Sequence, residues 1–177
     1  MQGTLLPYKG IYPKIGEGVF IAPTATIIGD VEIAAGANIW YGCIVRGDIN
    51  HIRIGERANV QDMTVVHVDG GYPAIIGADV VIGHTAIVHA CVLEDASMVG
   101  MKACVMDGSV VEEGAMVAAG ALVTPGKHIE KGQLWAGVPA KYIRDLGPED
   151  LAMRRDICER YMGIARDHME SLAGIGD

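Results

Sequence analysis

Residues 15–45 read IGEGVFIAPTATIIGDVEIAAGANIWYGCIV, and an aliphatic residue falls at every sixth position: Ile15, Ile21, Ile27, Ile33, Ile39 and Val45. The series continues at Ile54, Val60 and Val66, and then at Ile76, Ile82 and Val88. After one deletion it runs through Leu93, Val99, Val105, Val111, Val117, Val123, Ile129 and Trp135. Two residues before most anchors stands a small or β-branched residue, such as Ala25, Ala37, Cys43, Ala58, Thr64, Ala86, Cys91, Ser97 or Ala115. A period of six fits neither a helix nor a hairpin ladder. It fits a short strand plus a corner, three of which close one triangular coil. Stacked coils then pair in parallel register about 4.8 Å apart, each burying its anchors against those above and below. The reading is an all-β parallel β-helix of about seven coils over residues 1–140.

Two stretches break the period, RGDINHIR at 46–53 and HVDGGYPAI at 67–75, and are expected to bulge from the surface. Beyond Trp135 the pattern changes. Pro148, Glu149 and Asp150 suit a helix N-terminus, and Leu151, Cys158, Met162, Ala165, Met169 and Leu172 form one apolar stripe. Residues 141–177 therefore read as a linker and a C-terminal helix, packed on the coil or on a neighbouring subunit.

Composition narrows the function. The net charge of -8 and the absence of a Lys/Arg run argue against a nucleic-acid partner. No window is apolar enough to span a bilayer, and the N-terminus has no basic region followed by a long apolar stretch, so the expectation is a cytoplasmic protein. Cys43, Cys91, Cys104 and Cys158 contain no CxxC pair and read as reduced structural thiols.

Three of the six histidines carry a pattern. His67 and His89 directly follow the anchors Val66 and Val88, so they occupy the same corner of successive coils. Stacked imidazoles can share one ion. His84, two residues after Ile82, lies on a different edge and could complete the set only from another subunit, which implies a cyclic trimer with interfacial metal sites. A three-nitrogen site leaves a coordination position for water and lowers its pKa toward 7, suiting it to hydration or hydrolysis. His51, His128 and His168 read as surface residues, and Asn59 as a corner residue in left-handed geometry.

The stretches VRGDINHIRIGERANVQDMTVVH (45–67), IGHTAIVHACVLEDASMVGMKACVMDG (82–108) and WAGVPAKYIRDL (135–146) resemble the γ-class carbonic anhydrases of the hexapeptide-repeat superfamily. The resemblance implies a left-handed coil and a homotrimer, with zinc or iron(II) held by His67, His84 and His89. It implies reversible hydration of CO2 to bicarbonate, with Gln61 hydrogen-bonding near the reacting water and Asp62 nearby. Arg46 and Asp48 would form an ion pair at the subunit interface. The glutamate that follows this pair in well-characterised relatives is absent here, where the chain reads Asp48-Ile49-Asn50. The acidic loop after the first histidine is reduced to VDGGYP, with Tyr72 or Asp69 as the substitutes at hand. Fast hydration needs a route for the proton, so a slow or conditional enzyme is expected. The alternatives are an acyl-CoA thioesterase or acyltransferase that uses histidine without metal, and a non-catalytic trimeric scaffold.

Overall fold

The computed structural model describes residues 3–174. Its strands form three walls of seven levels each. The first wall stacks Thr4–Leu6, the leading parts of Thr26–Ile33 and Ile44–Ile54, then Val65–His67, Ile87–His89, Cys104–Val105 and Leu122–Val123. The second stacks Lys14–Ile15, the trailing parts of the same two long strands, then Ala74–Ile76, Val92–Leu93, Val110–Val111 and His128–Ile129. The third runs from Phe20–Ile21 through Asn38–Ile39, Asn59–Val60, Val81–Ile82, Met98–Val99 and Met116–Val117 to Gln133–Ala136. Every pairing within the walls is parallel. The anchors fill one continuous core, with Ile27, Ile39, Ile82, Leu93 and Ile129 fully enclosed, while Ile15 and Trp135 at the two ends are only partly covered.

The corners explain the glycines. Gly100 follows the anchor Val99, and a Cβ there would lie 2.4 Å from the backbone nitrogen of Ala119 on the next coil. The constraint is coil-to-coil approach rather than an unusual dihedral. We expect Gly100→Ala to force the backbones apart and cost about 1–3 kcal/mol, read as a lower urea midpoint.

Two segments carry more strand than the six-residue period shows. Residues 46–53 do bulge, but within a continuous strand, Ile44–Ile54. This strand pairs Gly47 with Gly29 and Ile52 with Val31, so residues 48–51 bulge against Asp30 alone. The linker beyond 140 contains the strand Lys141–Asp145, which pairs antiparallel with Gln133–Ala136.

Helix α1, Pro148–Ala173, follows. The Asp150 carboxylate accepts the Gly147 N–H at 2.8 Å and pairs with Arg144, an N-terminal arrangement that also suits the helix dipole. The Arg144 hydrogen bond is the main cause holding the Asp150 carboxyl down at about 2. Of the expected stripe, Cys158 and Ala165 are buried, while Leu151 and Met169 stay exposed. The helix packs on its own chain's third wall through an aromatic cluster. The Trp40 ring meets Phe20 at 5.1 Å, and Tyr161 and His168 each at 5.2 Å. His168 is therefore not a surface residue: its Nδ1 lies 2.9 Å from the Tyr41 hydroxyl. Asn59 is not a left-handed corner either. Arg57 takes that conformation, at φ 56°, and Asn59 sits in a strand, fully buried beneath α1.

Candidate metal centre

The parallel register puts His89 directly beside His67, and Arg46 beside His67 one coil earlier. Four side chains then form a line across the corner. Asp48 Oδ1 lies 3.0 Å from His67 Nε2, His67 Nδ1 lies 3.1 Å from His89 Nε2, and His89 Nδ1 lies 3.0 Å from Asp107 Oδ1. Arg46 holds the other oxygen of Asp48. Burial opposes ionisation of Asp48, but the hydrogen bonds from His67 and Arg46, with the arginine's charge, outweigh it and keep the carboxyl below its usual range.

A proton count shows what this line can do. Ionised carboxylates only accept, and a neutral imidazole carries one N–H. Asp48 and Asp107 take both of those hydrogens, which leaves His67 Nδ1 and His89 Nε2 facing each other with lone pairs and no hydrogen between them. The contact becomes favourable once a cation is shared. Two nitrogens bound tetrahedrally to zinc stand about 3.3 Å apart, close to the spacing found. The donor set thus fits a divalent metal. The flanking carboxylates are the usual outer partners of ligating imidazoles, fixing ring orientation and raising basicity.

His84 stands apart from this pair. Its Nδ1 lies 2.8 Å from Asp62 Oδ2, and its Nε2 lies 3.2 Å from the Tyr161 hydroxyl. The next residue, Thr85, has φ 60°, a strained conformation for a β-branched side chain, and its N–H bonds the Asp62 carbonyl at 2.8 Å. Among the described residues, no group of three or more His, Cys, Asp or Glu side chains is arranged to hold an ion within one chain.

Gln61 is buried and lines the same cleft as His84. Its Nε2 donates to Asn59 Oδ1 at 2.9 Å, and Asn59 in turn donates to Asn38. Asp62 is held on His84, so the structure brings Gln61, Asp62 and His84 together. It does not bring Tyr72 to them. Reciprocal Asp69 and Tyr72 backbone bonds close the loop, and the half-exposed Tyr72 ring lies over Gly108. Burial pushes the Cys43 and Cys91 thiols up to about 12, leaving them unreactive at neutral pH.

Asp107 and Tyr161 were not singled out from the sequence. Asp107 had a signal: Ile87 and Val88 pair with Cys104 and Val105, so Asp107 stands at the His89 corner one coil on. Tyr161 had none, because its position depends on how α1 docks.

Three parallel walls on a six-residue period, with imidazoles stacked at one corner, define a hexapeptide-repeat β-helix protein with a candidate metal site. The family described as bacterial transferase hexapeptide (six repeats) matches residues 12–47. Carbonic anhydrase of Geobacillus kaustophilus is 39% identical over 158 residues, 89% of this chain and 87% of its own length. Gamma carbonic anhydrase 2, mitochondrial, of Arabidopsis thaliana is 44% identical over 162 residues, 88% of this chain but 58% of its own. The chain thus spans about three fifths of the plant relatives it matches. The crystal structure of a hexapeptide transferase family protein from Anaplasma phagocytophilum superposes with a TM-score of 0.90 at 46% identity, over 94% of this chain and 99% of that one.

The chain belongs to the γ-class carbonic anhydrase family. Its coil is the left-handed β-helix of hexapeptide-repeat proteins.

Proposed function

We propose that this protein is a homotrimeric, metal-dependent carbonic anhydrase. In this reading His67 and His89 of one subunit and His84 of the next hold zinc or iron(II). The single observation that carries the metal site is the line Asp48, His67, His89, Asp107, whose two central nitrogens face each other without a hydrogen to share. Such a line suits a cation better than the metal-free histidine base that an acyltransferase would use.

Two features support the trimer. The wall that carries His67 and His89 presents an outward column of Ile44, Val65, Ile87, Cys104 and Leu122 in register, its first three members exposed. An apolar ladder of this kind on a soluble chain marks a contact surface. Among the described residues His84 also lacks same-chain metal partners, as a site shared between subunits requires.

Bound there, the metal would supply the Lewis acidity that makes water nucleophilic at neutral pH. The chain's own part is orientation. Asp48, Asp62 and Asp107 fix the three imidazoles, and buried Gln61, held by Asn59, presents its carboxamide into the cleft beside His84. The nearest acid on the loop after His67 is Asp69, whose Oδ1 accepts the Gly71 N–H. Among the described residues no dedicated proton acceptor stands ready, so turnover should depend on external buffer. Among the described residues no helix is long and apolar enough to cross a membrane, and the four free cysteines agree with a reducing cytoplasmic setting.

The test is stopped-flow CO2 hydration by anaerobically purified protein, with metal analysis alongside. Hydration that rises with metal content and with buffer concentration is expected; a fully loaded trimer no faster than buffer would overturn the reading. Asp107→Ala should weaken metal binding about 10–100-fold in chelator competition, since an outer carboxylate typically contributes that much.

A further inference from the structure

Between α1 and the third wall lies a cleft of about 380 Å³, lined by methionines including Met98, Met116 and Met153, with Gln61, His84 and Tyr161 also in its lining. The contact between the last two has a defined polarity. Asp62 can only accept, so His84 Nδ1 carries the hydrogen and Nε2 carries the lone pair. That lone pair receives the Tyr161 O–H at 3.2 Å. It is also the only nitrogen of His84 left to bind a metal.

Neither ring is free to turn aside. His84 is held by Asp62 and by the strained Thr85 corner. Tyr161 is held by Trp40, whose ring meets it edge-on at 5.2 Å and 83°, within the cluster that docks α1. We propose that Tyr161 is a positioning residue that occupies the metal-binding nitrogen of His84 until an ion displaces it, so that metal loading is read out in the seating of α1. The proposal rests on the metal-centre reading above.

The full chain, stripped of metal, is titrated with Co²⁺ against a competing chelator as wild type, Tyr161→Phe and His84→Ala. Phenylalanine keeps the ring against Trp40 and removes only the hydroxyl. Loss of one hydrogen bond that competes with the ion should tighten Co²⁺ binding roughly two- to tenfold in Tyr161→Phe. In a Trp135→Phe background, which leaves Trp40 as the only tryptophan, Co²⁺ should shift the fluorescence emission maximum, and the shift should shrink once the hydroxyl is absent. Affinity in Tyr161→Phe equal to or weaker than wild type overturns the proposal. If His84→Ala binds Co²⁺ as well as wild type, the metal-centre reading itself fails, which is a separate result.

Discussion

Replacing His89 with alanine is expected to strip the metal from the proposed site while leaving the coil and the proposed trimer intact. Metal content should fall from about one ion per subunit to near zero, and CO2 hydration to the buffer rate. His89 has two roles in the line at the corner: it presents Nε2 toward His67 Nδ1, and its Nδ1–H donates to Asp107, the hydrogen bond that fixes its tautomer. Its loss removes a ligand and leaves Asp107 without its imidazole partner, so the effect should exceed the 10–100-fold typical of an outer partner alone. The fold should tolerate the change, because the coil is held by its anchors, and Val88 beside it is fully buried. Circular dichroism and the urea midpoint would confirm the fold, and elemental analysis would report the metal. One ion per subunit retained by the variant would remove His89 from the site.

The contrast between what could be read in the chain and what could not follows from the range of the interactions. The coil was legible because each anchor sits six residues from the next and packs only on its neighbours, so a local period decides the global shape. The stacking of His67 on His89 came with it, as a matter of register. The separation of His84 was legible for the same reason, since its offset from Ile82 puts it on another edge. Asp107 was within reach of the same logic but needed the register carried one coil further, past a deletion. The tertiary placement of α1 was not legible. Its stripe gave the helix but not the surface beneath, and that surface buries Asn59 and draws His168 and Tyr161 into an aromatic cluster around Trp40. The bulge expected within 46–53 is present at 48–51, but an insertion in the sequence does not say that the strand continues through it.

Ile87→Asp should take the metal site apart without touching a ligand. Ile87 lies two residues before His89 on the outward column of the first wall, 44% exposed in the single chain. In an isolated coil an aspartate there would remain in water, and the stability of the subunit should change by no more than about 0.5 kcal/mol. At a subunit contact the same carboxylate must lose its water opposite an apolar surface, a penalty of several kcal/mol at each of three interfaces. Dissociation to monomers is the expected result, read by light scattering on a sizing column. Because no described group within one chain joins His84 to the His67 and His89 pair, metal content should fall with the proposed trimer even though all three histidines remain. Val110→Asp, on the outward face of the second wall between Val92 and His128, gives the control, and should leave both trimer and metal in place. A variant that stays trimeric would move the interface away from this wall. Monomers that still bind one ion with undiminished affinity would show instead that the site closes within a single chain, and His84 would then have no part in it.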